Sequence, residues 1–424
     1  MAIDMRGSVL LPANFSPSCY ACLRSLAPRG VHAVVASPIE NVPVSASRYC
    51  DEFVTVPSPQ RDLLAYKDAL LSIAARPDIR TVLPMREEDA YLLPRYRSEF
   101  EEHVAVVWPS FATLREVHDR KKLIETAERL NIPTPKTWTL DEVPDWDQKL
   151  IVKSRYNVLT DGFIDSFTPN EHIVNKQVIY LQSGTEPDRE AIRTRMDHVP
   201  IVQEVISDTP GVEYAFRALY DHGKLVSTSQ KKQLRGETYA GGGSVYRESI
   251  YEPRLEALGR RLLDHLDWHG LASIEFLKDT STGEFNLMEV NPRAVGSIAC
   301  DIGAGADFPY HYWLVAGEEA TAPIDYEYQV GFGTHYLFGE LQYLHSVLQK
   351  EYPNVKRPML HTAVRDIVSS CYNQPHFDYL SLDDPGPFLR GIRTAISDYG
   401  LMSSLATVRD SEVSGSDFSS DHRS

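Results

Sequence analysis

The sequence is poor in several features that would assign it to a well-defined class. Its five cysteines are scattered over 424 residues, and an odd, dispersed set argues against a disulfide framework. No apolar run approaches the roughly 18 residues that a membrane helix needs. The first residues, MAIDMRGSVLLPANF, also lack the apolar segment of a secretory signal. These absences predict a cytoplasmic protein that does not enter a membrane.

Positive charge is scarce as well. The chain has 43 lysines and arginines against 59 aspartates and glutamates, which gives a formal net charge of −16. Such a surface repels phosphate-rich partners, so general binding to nucleic acid or anionic lipid is not expected. The chain also contains no GxxxxGK[ST] motif, which excludes a P-loop. Any nucleotide would have to be held by a local site of another kind.

The remaining composition is that of a globular protein with two or three domains, with 42% hydrophobic and 24% charged residues. Between residues 6 and 110, short apolar runs such as HAVVAS and HVAVVWP alternate with helical stretches. This alternation predicts a parallel, doubly wound α/β domain. Cys19 and Cys22 form a CxxC motif within one of its helices, and without a second pair we favour packing over a redox or zinc site.

Two β-hairpins are predicted farther along the chain. The segment EYAFRALYDHGKLVSTSQKKQL turns at residues 221–223, and GLASIEFLKDTSTGEFNLMEVNPR turns near Gly283. Alternate positions in both hairpins carry polar groups, as expected for sheets that face a polar cavity.

The second hairpin carries the most informative residues. Glu275 and Glu289 lie at similar distances from the turn, so their carboxylates can be neighbours across the two strands. Asn291 follows on the face of Glu289. Two carboxylates and an amide oxygen suit Mg²⁺ that shares its coordination with substrate phosphates. The alternative is that the glutamates are solvated on an open sheet face.

Basic residues elsewhere favour an anionic ligand. Arg293 comes just after the acidic set and could neutralise charge that develops on a phosphoryl group or an oxyanion, although a surface salt bridge is the alternative. Lys153 ends an apolar strand and needs an anionic partner. Lys231, Lys232 and Arg235 precede three glycines, in a segment that could equally be a flexible surface loop.

The order of several segments resembles the ATP-grasp fold, and within it the carboxylate–amine ligases. These segments are DRKKLIETAERLNIPTPKT, LIVKS, VQEVI, GVEYAFRALYDHGK, SIEF and LMEVNPR. The resemblance spans roughly residues 6 to 325 and implies an N-terminal α/β domain followed by a two-lobed ATP-grasp domain. The implied units are 1–112 for the N-terminal domain, 113–325 for the ATP-grasp domain (lid about 137–205, core about 206–325), 326–410 for a helical or mixed C-terminal extension and 411–424 for a disordered tail.

The resemblance also implies roles for individual residues. ATP would be held between two antiparallel sheets, with Mg²⁺ or Mn²⁺ as the cofactor. Lys153 matches the lid lysine that contacts the phosphates, and Arg120 stands where many relatives have a second lysine. The segment Glu204, Val205 and Ile206 matches the hinge that holds adenine. Glu213 is the expected ribose partner, with Asp208 as a second choice. The magnesium ligands would be Glu275, Glu289 and Asn291.

The activity that the resemblance implies is ATP-dependent ligation of a small-molecule carboxylate to an amine, with amino acids among the candidate substrates. An acyl phosphate would be the intermediate, and Arg293, helped by Arg235 or Lys232, would stabilise it. A carboxyphosphate-forming carboxylase and a non-catalytic nucleotide-binding regulatory subunit are the alternatives. The lid lacks a clear Gly-rich phosphate loop, since only Asp161-Gly162 offers a turn after Lys153, and this favours the regulatory subunit. The intact set of Glu275, Glu289 and Asn291 argues against it. The oligomeric state stays open, with a homodimer as the commonest assembly.

Overall fold

The computed structural model describes residues 7–174, 177–181, 183–206, 213–320, 323–352 and 355–395. The predicted tail at 411–424 lies outside these residues, and so does Asp208. Within them, no helix combines the length and hydrophobicity that crossing a bilayer requires.

The N-terminal part is built around a four-stranded parallel sheet with the order β3-β2-β1-β4. Alternate strand residues face opposite sides, so helix α1 packs on one face while α2 and α3 pack on the other. This is the doubly wound arrangement that the alternating apolar runs predict. The elements are β1 (Ser8–Pro12), α1 (Ser18–Leu26), β2 (His32–Ser37), β3 (Glu52–Thr55), α2 (Leu63–Ala74), β4 (Ile79–Val82), α3 (Glu87–Arg95), α4 (Arg97–Phe100) and α5 (Phe111–His118).

The CxxC motif lies on α1. Cys19 and Cys22 are both buried in the core that this helix shares with the sheet. All five cysteines are free thiols, and burial raises the pKa values of these two well above the usual range. They pack as small apolar residues, in agreement with the favoured interpretation.

A second, antiparallel sheet has the order β5-β8-β6-β7. Its small core joins the sheet to helix α7 and is separate from the other hydrophobic clusters of the described chain. We call this sheet and α7 the lid. The elements of this region are α6 (Arg120–Arg129), β5 (Thr137–Thr139), β6 (Leu150–Lys153), β7 (Val178–Tyr180), α7 (Arg189–Met196) and β8 (Ile201–Glu204).

The third sheet, which we call the core sheet, has six strands in the order β13-β12-β9-β10-β11-β14. Both predicted hairpins are present within it. Its last strand, β14, comes from the predicted C-terminal extension, which therefore completes the core sheet. The elements are β9 (Glu213–Asp221), β10 (Lys224–Thr238), β11 (Gly241–Ser249), α8 (Pro253–His265), β12 (Gly270–Lys278), β13 (Phe285–Asn291), α9 (Ile298–Gly303), α10 (Phe308–Ala316), β14 (Gly333–His335), α11 (Leu337–Gln349) and α12 (Leu360–Asn373).

The two faces of the core sheet have different partners. Phe216 and Ile274 point to the face covered by α8. Leu219 and Leu271 point to the other face and belong to the same hydrophobic cluster as the N-terminal strands and α1. The polar residues of the site lie on this second face, beyond its apolar end. The N-terminal domain therefore packs directly beside the site.

The contact between α8 and the core sheet requires a glycine. A Cβ on the buried Gly259 would overlap the ring of Phe216. Alanine favours a helix by about 1 kcal/mol over glycine, while overpacking costs roughly 1–3 kcal/mol. Because this overlap is severe, we expect Gly259→Ala to lower the free energy of unfolding by about 2 kcal/mol in urea titrations. The same change in a Phe216→Leu background should cost less, and equal costs in both backgrounds would contradict this packing.

Candidate active site

The acidic residues of the second hairpin are brought together on one face. Glu275 is directly opposite Glu289, and Ser273 is opposite Asn291. A bulge follows at Met288, because Phe276 pairs with Leu287. Bulges redirect side chains and are common beside active sites. The two carboxylates are neighbours across the strands, as the spacing from the turn predicts.

Asn291 lies between the two carboxylates. Its Nδ2 is 3.2 Å from Oε1 of Glu275 and 3.0 Å from Oε1 of Glu289. Turning the amide about its last bond would present Oδ1 to the same space, since the two amide atoms exchange positions. The set then offers three hard oxygen donors. It fits Mg²⁺, which prefers oxygen ligands and is commonly shared with substrate phosphates.

The electrostatics also favour a cation. Burial raises the pKa of Glu275 well above its usual range, and the charges of Glu289 and Glu213 raise it further, while Lys231 and Arg293 oppose the shift. Two adjacent carboxylates in a half-buried place resist ionising together. A divalent cation would remove that repulsion. The role of these residues as metal ligands stays a prediction.

The lid contributes Lys153 at the end of β6. Among the described residues, none forms an ion pair or hydrogen bond with its ammonium group. Burial lowers the pKa of Lys153 to about 8, Arg120 lowers it as well, and Glu289 and Glu275 act in the opposite direction. Their influence shows that the lid lysine lies within electrostatic reach of the acidic pair. A nucleotide phosphate would supply the missing counter-charge.

Arg120, in contrast to Lys153, already has partners within the protein. Its Nη2 lies 2.7 Å from Oε2 of Glu289, and its Nη1 donates to the carbonyl of Ser154 at 2.9 Å. It therefore links the start of α6 to the acidic pair and to the lid. The neighbouring Asp119 holds Arg155 through two hydrogen bonds of 2.9 and 2.7 Å. Sequence reasoning did not identify this second pair, which joins α6 to the segment after β6.

The structure does not bring Lys232 to this face. The row across the core sheet runs from Glu289 through Glu275 and Ala215 to Lys231, and Lys232 points to the opposite side. A bulge at Val226 is the reason, because Tyr220 pairs with Leu225 but Leu219 pairs with Ser227. Without this bulge, Lys232 would face the acidic pair.

Lys231, which the sequence analysis named without a role of its own, lies at the site in place of Lys232. Its buried Nζ lies 3.4 Å from Oε1 of Glu213. Burial lowers the pKa of Lys231, and Glu213 opposes that shift. The predicted ribose partner is thus paired with a lysine in this structure. Its contact with ribose stays a prediction.

The other two predicted arginines lie in different places. Arg293 Nη2 forms a 2.6 Å ion pair with Glu87 at the start of α3, so it joins the core sheet to the N-terminal domain next to Asn291. Arg235 Nη1 instead lies 2.7 Å from Glu340 on α11, and its guanidinium packs over Tyr246. The structure therefore assigns Arg235 a contact with the C-terminal extension and does not place it beside Glu275.

The predicted hinge leaves the lid at the end of β8. The side chain of Glu204 accepts from the backbone of Lys136 at 3.1 Å, and the Val205 N–H donates to the carbonyl of Lys149 at 3.0 Å. Ile206 is the last described residue before Glu213, where the first strand of the core sheet begins. Adenine recognition by this segment stays a prediction.

The segment between β6 and β7 packs against the N-terminal domain. Tyr91 donates to Asp161 at 2.8 Å, and the Leu63 N–H donates to the carbonyl of Asn170 at 3.0 Å. His172 Nε2 lies 3.5 Å from Glu88. This segment contains Gly162 but no glycine-rich run, and its place in the structure is a packed connection between the lid and the N-terminal domain.

The pKa of Lys153 predicts a pH dependence. Above pH 8 the free ammonium loses its proton and with it the attraction for phosphate, so we expect the Kd for MgADP to rise by up to about tenfold per pH unit. Below pH 8 the Kd should be flat with respect to this group. Calorimetric titrations between pH 7 and 9.5 measure the profile. The Lys153→Arg protein stays charged and should lack the rise; an identical rise in both proteins would contradict the assignment.

Comparison with known proteins bears on the fold. No protein-family model matches the chain, and no curated protein matches it. Solved structures do. A pyruvate carboxylase from Rhizobium etli is 16% identical with a TM-score of 0.56, over 78% of this chain and 29% of that one. The biotin carboxylase domain of 2-oxoglutarate carboxylase from Hydrogenobacter thermophilus, solved with MgADP and bicarbonate, is 12% identical with a TM-score of 0.58, over 77% of this chain and 73% of that one.

An N5-carboxyaminoimidazole synthetase from Staphylococcus aureus, complexed with ADP, is similar to the same extent. It is 14% identical with a TM-score of 0.54, over 77% of this chain and 80% of that one. At such low sequence identities, the structural similarity establishes the fold alone. It confirms the predicted ATP-grasp fold. The chain spans less than a third of the pyruvate carboxylase chain.

Proposed function

We propose that this protein is a cytoplasmic, magnesium-dependent enzyme that uses ATP to join a small-molecule carboxylate to an amine. The observation that carries the proposal is the placement of Lys153, a lid lysine with no described ionic partner, within electrostatic reach of the paired Glu275 and Glu289. Such a pairing of a cation with an acidic set suits a triphosphate that shares a metal ion. The similar structures solved with ADP or MgADP support the same reading.

The reaction has two steps. A carboxylate oxygen of the first substrate attacks the terminal phosphorus of ATP, the bond to the bridging oxygen breaks and ADP leaves. The amine nitrogen then attacks the acyl carbon and loses a proton, and phosphate leaves as the C–N bond forms. Bound Mg²⁺ would offset the charge on the phosphates during the first step.

Different residues of the candidate site would have different roles in these steps. Glu275, Glu289 and Asn291 would hold the metal, while Lys153 would contact the phosphates from the lid. Arg293, fixed by Glu87, would stabilise the oxyanion that forms when the amine attacks. The lid would keep water from hydrolysing the acyl phosphate.

Carboxylation through carboxyphosphate is the second candidate, because the similar structures include a biotin carboxylase domain with bicarbonate bound. A screen of ADP release distinguishes the two. Carboxylates paired with amines form one arm, and bicarbonate with each amine forms the other. Hydroxylamine added to the first arm should convert the acyl phosphate into a hydroxamate that mass spectrometry identifies. Release that depends on bicarbonate alone would favour carboxylation, and nucleotide binding without release in either arm would indicate a regulatory subunit.

The metal assignment predicts the effect of removing one ligand charge. We expect Glu289→Gln to lower ADP release by about a hundredfold or more, since metal-dependent charge stabilisation contributes several kcal/mol to catalysis. Manganese binding, followed by electron paramagnetic resonance with ADP present, should weaken in parallel. The exposed Glu284, in the turn of the same hairpin, offers the matched control, and Glu284→Gln should retain both properties. Normal turnover in a folded Glu289→Gln protein would refute the assignment.

A further inference from the structure

The C-terminal extension presents a helix whose apolar side is largely uncovered. Of the 14 residues in α12, only Ala363 is buried. Leu360, Val364, Val368 and Tyr372 recur at intervals of four, which places them along one side of the helix. Val368 is 63% exposed and Tyr372 is 85% exposed. Helices in proteins are stabilised mainly by packing of an apolar face, so α12 leaves most of this stabilisation unused within the described chain.

Helix α11 extends the uncovered surface. Its inner side lies tightly on the core sheet, because a Cβ on Gly339 would be only 2.2 Å from Cγ1 of Val245 on β11. Leu341 and Leu348 lie seven residues apart, and each is more than half exposed. Two turns of helix separate them, so they share one side of α11. This helix therefore contributes a second apolar row.

The two rows lie side by side. Arg235 contacts Glu340 near the start of α11 at 2.7 Å and Ser370 near the end of α12 at 3.4 Å, so the helices run antiparallel. Ser370 marks the side of α12 that faces the core sheet. Successive helical residues are about 100° apart, which turns Val364 and Val368 away from that side toward the solvent. We call the exposed apolar side chains of both helices the C-terminal face: Leu341 and Leu348 of α11, and Leu360, Val364, Val368 and Tyr372 of α12.

The C-terminal face has little charge of its own. Arg365 and Asp366 flank the row on α12, and they pair with each other at 3.3 Å. A formal net charge of −16 disfavours an anionic membrane surface, and a helix that lies on a membrane typically carries Lys or Arg along its polar side. A partner selected by charge would need a charged surface to recognise. A second copy of the same neutral face needs neither.

The size and the symmetry of the C-terminal face suit that occupant. Its exposed side chains amount to on the order of 700 Å², close to the ~800 Å² that each partner contributes to a standard interface. In a two-fold pairing, a residue on the axis meets itself and every other contact occurs twice. With Val368 on the axis and the two α12 helices antiparallel, Val364 would face Tyr372 of the second copy. A small side chain would then meet a large one on both sides of the axis.

We propose that the C-terminal face is the interface of a homodimer. The acidic pair lies on β12 and β13, whereas α11 packs over β10 and β11 toward the opposite edge of the core sheet. Each copy would therefore keep its candidate active site clear of the contact. Dimer formation does not rest on the proposed function, because it involves neither nucleotide nor metal.

Sedimentation velocity of the full chain, at micromolar concentration and without nucleotide, measures the assembly. We expect the mass of two 47.8-kDa chains. Val368→Lys should raise the dissociation constant by about a hundredfold or more, because both copies lose an apolar contact and gain a charge at the axis. Val368 is exposed and lysine favours helices, so the circular dichroism spectrum should be unchanged.

Leu382→Lys is the matched control. Leu382 is 97% exposed and lies beside Asp383, which pairs with Arg24 of the N-terminal domain. The control adds the same charge outside the C-terminal face and should leave the dimer intact. A chain that is monomeric at these concentrations would overturn the proposal, and so would a dimer that a folded Val368→Lys protein retains at full strength.

A cross-link tests the axis even if Val368→Lys fails to fold. In a Cys371→Ser background, Val368→Cys should give a covalent dimer under mild oxidation, since the two thiols would meet, and Leu382→Cys should not. Absence of the cross-link in a folded Val368→Cys protein would count against the interface. A chain that dimerises only after removal of residues 396–424 would overturn the proposal too, because the face would then be covered within one copy. None of these measurements involves ADP release, so failure of this proposal and failure of the proposed function are distinguishable.

Discussion

The arrangement of this protein depends on two glutamates held side by side with too little water to separate their charges. Glu275 and Glu289 pair across a strand ladder, and burial together with mutual repulsion disfavours the ionised form of Glu275. Cationic side chains from three structural elements offset this electrostatic cost. Arg120 comes from α6, Lys153 from the lid and Lys231 from β10. Three elements that are distant in sequence thus each place a cation near the acidic pair.

The ion pairs within the described residues leave one cation of the site, Lys153, without a counter-charge that a ligand could supply. Arg120 pairs directly with Glu289, and Lys231 pairs with Glu213, yet Lys153 has no ionic partner among the described residues. Its lowered pKa records the cost of holding an ammonium there. A metal ion bound by the carboxylates would offset their negative charge, and an anion bound by Lys153 would offset its positive charge. A metal-bound triphosphate has that distribution of charge.

Local periodicity predicted the doubly wound N-terminal sheet, the two hairpins and the pairing of the glutamates, whereas the ATP-grasp fold was predicted from the resemblance in the order of the segments. The turns at residues 221–223 and near Gly283 fix the hairpins, and distance from the turn pairs Glu275 with Glu289. Which of Lys231 and Lys232 faces the site could not be predicted. One extra residue at Val226 exchanges the faces of Lys231 and Lys232. Arg235 was misplaced because its partner, Glu340, comes from α11 far along the chain, and no local pattern announces such a contact.

The lid illustrates how a missing motif can be informative. A glycine-rich loop after β6 would be free to move over phosphates, since glycine imposes little restriction on the backbone. Here the segment contacts the N-terminal domain through Asp161, Asn170 and His172, so moving it would break hydrogen bonds and expose packed rings. His172 also shares the Glu88 carboxylate with Gln60 of the N-terminal domain. The segment is therefore held by side-chain contacts as well as by a backbone hydrogen bond, unlike a free glycine-rich loop.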